Sequence, residues 1–314
     1  MSVTYKFILF QSVISGGFLF GYFLKKAAAG HAEKIVKKIL RFNIIIFEPL
    51  IVLNSAWGIT ITPDLMILPA AGLLIVLIGF FSGTVVSPFI FKDKIKKATF
   101  IITASLSNHG FTMGAFICYI LIGFQGLALS FVFTIYFTFY VFIFIFNYAS
   151  AVRFNHTVSL KFIIRKFFQL QNLPLYSISA ALLLSLSGIK RPVPVLNLDV
   201  FIYAVVFLYF LSLGMQFDLK QIKDAVRPSV FLAVLKFCII PFIIIIILFF
   251  VPVSHDMRAV IIIQSFMPTG VFSVVTASLY DLDTRLASAL FVFNTVIYAA
   301  AVLPLTLLFR NLIL

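Results

Sequence analysis

Apolar stretches of about 20 residues, the length a helix needs to cross a bilayer's hydrocarbon core, recur from one end of the sequence to the other. One such stretch would leave room for a soluble domain. A continuous succession does not. Of the 314 residues, 62% are hydrophobic and 11% are charged, against about a quarter charged in an ordinary soluble domain. The 40 phenylalanines exceed what a soluble core hides. A soluble enzyme, a nucleic-acid binder and a disordered scaffold are all poor readings of this composition. The apolar runs are continuous rather than alternating, which excludes a transmembrane β-barrel. The fold class is an all-α polytopic membrane protein.

The net charge of +14 would point to nucleic acid in a soluble chain. Here basic residues in loops orient the helices instead. Cys118 and Cys238 both fall in apolar segments and form no disulfide framework or metal-spaced cluster. They read as small buried hydrophobes. The N-terminal MSVTYKFILFQSV lacks the basic cap and cleavage site of a secretory signal, and reads as a retained first span.

Ten spans are expected, near 5–24, 35–58, 65–90, 98–121, 125–152, 173–189, 196–217, 226–251, 258–280 and 284–310. With the N-terminus outside, 18 basic residues fall in inner connections and 5 on the outer side. That bias fits an N-out, C-out protein. The basic, aromatic connection 153–172 reads as an amphipathic linker on the inner leaflet. It separates a first five-helix half, 1–152, from a second, 173–314. Five helices followed by five give two halves of opposite orientation, as in inverted-repeat transporters.

A shift of 160 residues brings Gly110 onto Gly270 and Phe131-Val132-Phe133 onto Phe291-Val292-Phe293. Local chemistry is the more informative signal. The fourth span reads Ser105-Leu106-Ser107-Asn108-His109-Gly110, with Gly114 beyond, and the ninth reads Gln264-Ser265-Phe266-Met267-Pro268-Thr269-Gly270. Each puts glycine and polar groups in mid-membrane. Pro268 removes a backbone donor, and the glycines permit conformations that other residues resist. Both stretches are expected to break their helices. A break exposes N–H groups at the start of the second half-helix, where the helix dipole favours an anion. Ordinary kinks with small-residue packing are the alternative.

Several stretches resemble the auxin efflux carrier family. MPTGVFSVVTASLYDLDTRLASALFVFNTVIYAAAVLPLTLLF (267–309) is similar to its last two spans. LPLYSISAALLLSLSGIKRPVP (173–194), LSLGMQFDL (211–219) and LKFCIIPF (235–242) resemble its sixth, seventh and eighth. NHGF (108–111) is similar to the Asn-x-Gly-Phe of its fourth span, and Pro49 falls where its second carries proline. The resemblance implies a ten-helix secondary transporter of two inverted repeats, with broken helices four and nine crossing centrally and an elevator-like motion. It implies a small organic anion as substrate: auxin in plants, malonate, malate and related carboxylates in bacteria. It also implies a fold like that of bile-acid sodium symporters, and it allows a homodimer. The family's fourth span carries a proline about seven residues after the Asn, where this chain has Ala115. The break there would rest on Gly110 and Gly114 alone. His109 is also unusual.

The candidate substrate-binding residues are Asn108, His109, Gly110, Pro268, Thr269 and Gly270. At the last three, backbone amides would meet the anion. Thr134 and Asn294, also 160 apart, either line the cavity or bond between helices. Asn54, near the outer end of the second span, is a further candidate, and Trp57 beside it reads as an interfacial anchor. Glu48 is an intramembrane acid, by default a functional residue: it binds a coupling H⁺ or Na⁺, or it is a hydrogen-bonded acid. His109 is the second proton-coupling candidate, or a neutral, hydrogen-bonded histidine, since charge is costly at this depth. Lys236 lies about two turns into the eighth span; it either snorkels to the interface or attracts the anion. No cofactor beyond a coupling ion is implied, and no metal site.

An intramembrane enzyme would need more than Glu48 and His109 within the spans. A channel would repeat a pore element. No P-loop pattern is present. A Na⁺-coupled bile-acid-type symporter and a ligand-sensing receptor built on the transporter fold stand as alternatives. The partners expected are the substrate anion and the lipid bilayer, with no nucleic acid. The location expected is a cell membrane, bacterial by the short central linker.

Overall fold

A computed structural model describes residues 3–28, 31–110, 113–191, 198–216 and 225–308. Lys220, Lys223 and Arg310 of the charge balance, and Phe111 of NHGF, lie outside the described residues. The described chain is helical, with no strand beyond one isolated bridge. Among the described residues six helices are long and apolar enough to cross a membrane: Lys34–Ala56, Pro63–Ile90, Phe124–Phe154, Leu198–Met215, Val226–Phe250 and Thr284–Thr306. The fourth and ninth expected spans are each in two pieces, Lys94–Ser105 with Gly114–Ile122, and His255–Ser265 with Phe272–Leu279.

Prolines shape the long helices in a regular way. Pro49, Pro241 and Pro304 are each preceded by a five-residue π-helical turn: Asn43–Phe47, Leu235–Ile239 and Tyr298–Val302. A proline ring collides with the carbonyl four residues back. Those carbonyls belong to Ile45, Phe237 and Ala300, each at the centre of its π turn. A π turn widens the helix at that carbonyl, which relieves the collision.

The chain divides into two compact units. The first comprises residues 1–65, 110–132 and 168–217. Within it, the helix Val3–Ala27 lies along Leu198–Gln216. Two glycines set their separation. A Cβ on Gly21 would stand 2.1 Å from the Leu211 carbonyl oxygen, and one on Gly214 would stand 2.0 Å from that of Phe18. Small residues permit such approach between membrane helices. Leu173–Leu186 packs on Glu48–Ala56. Their ends are tied by Trp57 Nε1 donating to the Ile189 carbonyl at 2.9 Å and the Gly58 amide donating to Ser185 Oγ at 2.8 Å. The Trp57 indole therefore has a protein partner of its own.

The second unit comprises 66–109, 133–167 and 218–314. Its helix Ile67–Ile90 packs on Lys94–Ser105, with Gly79 against the Ala104 carbonyl. Ser105 fixes the pair by bonding the Val76 carbonyl at 2.9 Å and the Tyr140 hydroxyl at 2.7 Å. In the linker, the helix Leu160–Phe167 carries Lys161, Arg165 and Lys166. It is held by Phe167, whose ring meets those of Phe139 and Phe142 at 5.2 and 5.4 Å. Each unit draws on both sequence halves. Cys118 is buried, but Cys238 is exposed, because it lies on the outward side of its π turn and is not the core hydrophobe its apolar context suggested.

Candidate functional site

The two broken spans meet within the second unit. Leu106 is extended, with φ −75° and ψ 127°, so the helix stops at Ser105 without any proline. Ser107 and Thr269 form an antiparallel bridge. The Asn108 amide donates to the Pro268 carbonyl at 2.8 Å, and the Gly270 amide donates to the Leu106 carbonyl at 3.0 Å. Thr269 Oγ1 donates to the Leu106 carbonyl at 3.0 Å and contacts that of Thr103. In a bilayer interior such groups must find partners inside the protein. Here each break supplies the other's.

Gly270 is required by this contact. A Cβ there would lie 2.9 Å from the Ser107 carbonyl oxygen, whereas one on Gly110 would meet nothing within 4 Å. Ala115 does not prevent the fourth-span break. The pairing with 268–270 takes the place of the intrahelical bonds lost at 106–108. Beyond the break, the Met113 and Ala115 amides both donate to the Gly110 carbonyl at 3.2 Å, starting Gly114–Ile122.

Three side chains close the crossover. Asn294 Oδ1 accepts from the Thr269 amide at 2.8 Å. Gln264 Nε2 donates to the His109 carbonyl at 3.1 Å. Lys236, only 1% exposed, donates to Ser107 Oγ at 2.6 Å, to the Leu106 carbonyl at 3.2 Å and to the Ser105 carbonyl at 3.5 Å. It turns into the protein and does not snorkel, because the carboxyl end of Lys94–Ser105 offers partial negative charge. Among the described residues no carboxylate lies within 4.0 Å of it. His109 Nδ1 meets the Tyr136 hydroxyl at 2.6 Å, and its ring stands edge-on to Phe133 at 5.1 Å.

Polar atoms remain over. His109 Nε2, Gln264 Oε1 and Asn294 Nδ2 are buried and lack a partner among the described residues. Buried polar groups are nearly always paired, so each exception calls for an explanation. The amides of Thr269 and Gly270 are already engaged, so a ligand here meets side chains rather than those amides. Thr134 lies at the start of Ile135–Phe139 in the same unit.

Gly110, Glu48 and Asn54 belong to the first unit. Glu48 is buried and accepts from the Tyr209 hydroxyl. Asn43, one turn before it, donates to the Val205 carbonyl at 3.4 Å. The Asn54 carbonyl accepts from Arg191 at 3.1 Å. The sequence reading passed over Tyr136, Tyr140 and Tyr209. Their signal was a hydroxyl among phenylalanines at the depth of a polar residue in another span.

The geometry is that of two interrupted helices joined by their broken ends. A family model for a membrane transport protein matches residues 17–308. The chain belongs to this family. The match spans nearly all of the sequence and agrees with the auxin efflux carrier resemblance. A comparison with curated proteins finds no match. A membrane transport protein with several apolar helices is a multi-pass membrane protein, and its family is one of transporters rather than enzymes. Among the described residues no group of three or more His, Cys, Asp or Glu is arranged to hold a metal.

Proposed function

We propose that this membrane transport protein is a secondary carrier of a small organic anion, bound beside the crossover. One observation carries the reading: the Lys236 ammonium is buried among oxygens, and among the described residues no carboxylate lies opposite it. Buried charge is costly unless paired. A carboxylate substrate supplies the missing counter-charge. His109 Nε2 and Asn294 Nδ2 are the unpartnered donors for its oxygens. When Tyr136 donates to Nδ1, the proton of the neutral ring sits on Nε2.

Ten spans in two inverted repeats are supported by matched irregularities. The breaks at 106–113 and 266–271 are about 160 residues apart, as are the π turns beginning at Tyr140 and Tyr298. The two units suit an elevator. The one holding the crossover is the moving part, and the one built on Val3–Ala27 and Leu198–Gln216 is the scaffold. Orientation is N-out and C-out, from the basic residues in alternate loops, in a bacterial inner membrane. Glu48, buried in the scaffold, is the coupling site for H⁺ or Na⁺.

The test is a thermal-shift screen of purified protein against small carboxylates, with and without Na⁺ and at two pH values. A ligand at 100 times its Kd stabilises by about 2.7 kcal/mol. Stabilisation of the wild type that Asn108→Ala abolishes supports the reading. Stabilisation by neutral or cationic compounds alone rejects it.

A further inference from the structure

The second unit has a cavity at the start of Lys94–Ser105, the helix whose other end meets the crossover. It has a volume of about 320 Å³ and opens where the end of Ile67–Ile90, the start of Lys94–Ser105 and the helix Phe146–Phe154 converge. Lys92, Lys94 and Lys97 all line it. The carboxylate in this connection, that of Asp93, is turned to its own helix and accepts from the Lys96 amide at 2.8 Å. Among the described residues none of the three lysines has a salt-bridge partner. Tyr148 also lines the cavity, and its ring is fixed by the Phe80 ring at 5.0 Å.

The cavity's apolar lining is Pro88, Ile101 and Val152. It continues outward as a stripe. Phe81, Val85 and Phe89, spaced one turn apart on Ile67–Ile90, are 62%, 66% and 75% exposed. Residues four apart share a helix face, so this stripe runs along the membrane-facing side and ends beside Thr84 and Pro88 at the cavity. A free anion would use the lysines and leave the stripe unused. A molecule with a phosphate at one end and acyl chains at the other uses both. Basic pockets between membrane helices at the interface are known to take such headgroups.

We propose that this cavity is a binding site for the phosphate headgroup of an anionic phospholipid, in the leaflet that the Lys92–Lys97 connection faces. The lysines neutralise the phosphate and Tyr148 donates to it. One acyl chain lies along Phe81, Val85 and Phe89. The site is independent of what the carrier transports.

The experiment is native mass spectrometry of the full-length protein, released from detergent containing phosphatidylglycerol or phosphatidylcholine of the same chain length. The wild type retains phosphatidylglycerol in preference. A variant carrying Lys92→Gln, Lys94→Gln and Lys97→Gln loses retention by on the order of tenfold or more. One carrying Lys34→Gln, Lys37→Gln and Lys38→Gln, with the same net charge, keeps it. Thr84→Trp fills the cavity while leaving every lysine in place, so it loses the lipid too even if the triple variant does not fold. Equal loss in the two triple variants, equal retention of phosphatidylcholine, or unchanged retention in Thr84→Trp overturns the proposal. Displacement of the lipid by glycerol phosphate at equal concentration assigns the site to a free anion and overturns it as well.

Discussion

Lys236 holds its Nζ 2.6 Å from the Ser107 hydroxyl and 3.2 Å from the Leu106 carbonyl, so the open end of one half-helix is closed by a cation from another span. Removing the ammonium takes the donor from the buried Ser107 hydroxyl and Ser105 carbonyl, at about 1–3 kcal/mol, while the Leu106 carbonyl keeps the Gly270 amide and Thr269 Oγ1. Lys236→Met is expected to lower the melting temperature of the purified protein and to abolish its stabilisation by a carboxylate. If Lys236→Met melts lower but still responds to carboxylate, the lysine is a structural cap only.

Gly270 and Gly110 separate a packing requirement from a merely permissive glycine. A Cβ on Gly270 meets the Ser107 carbonyl at 2.9 Å, and backbone cannot swing away as a side chain can. Gly270→Ala is expected to cost about 1–3 kcal/mol. Gly110→Ala meets open space and is expected to stay within about 0.5 kcal/mol in stability. Equal melting temperatures for the two variants would contradict the crossover packing.

The sequence displayed the breaks but not their closure. Proline and glycine in mid-membrane mark where a helix is weak, so 266–271 was readable. The fourth-span break at Leu106 has no proline, and depends on bonds to residues about 160 positions away. No local propensity encodes those. Lys236 shows the same limit. From spacing alone, snorkelling and burial are equally open to a long stem, and only the folded neighbours Ser105, Leu106 and Ser107 decide. The π turns were legible in part. Pro49, Pro241 and Pro304 announce a disturbed helix, but not that one widened turn absorbs it.

Asn294 fixes Thr269 through Oδ1 and leaves Nδ2 over. Asn294→Asp keeps the acceptor and removes the donor. Its ionised form would also repel an anion. The expected result is no carboxylate stabilisation together with a lowered melting temperature, because an ionised carboxylate buried at this depth is costly. Asn294→Ala should lose stability and the response as well, because the Thr269 amide is left without its acceptor, at about 1–3 kcal/mol. A carboxylate response that survives in Asn294→Asp would remove Nδ2 from the binding site.

Gly21 and Gly214 test the packing of the first unit. Each would place a Cβ about 2 Å from a carbonyl of the facing helix, an overlap relieved only by separating the helices. Gly214→Leu is expected to lower stability by more than Gly16→Leu, since Gly16 faces open space. The measurement is the fraction of each variant that remains folded after heating in detergent. Equal fractions would mean that Val3–Ala27 and Leu198–Gln216 are not held together by this contact.

Glu48 and Tyr209 give the test of coupling. The Tyr209 hydroxyl donates to a Glu48 carboxyl oxygen, and the glutamine amide offers an oxygen in the same place. Glu48→Gln therefore keeps that bond and is expected to melt within about 1 kcal/mol of the wild type. It cannot exchange a proton or offer a full negative charge to Na⁺. Flux of a carboxylate into proteoliposomes should then become insensitive to an imposed pH or Na⁺ gradient, while exchange at equal concentrations on both sides persists. Gradient-driven uptake that survives unchanged in Glu48→Gln would make the acid a structural partner of Tyr209 and move the coupling site elsewhere. Loss of both gradient-driven uptake and exchange, in protein that still melts like wild type, would place Glu48 in the transport step itself rather than in its coupling.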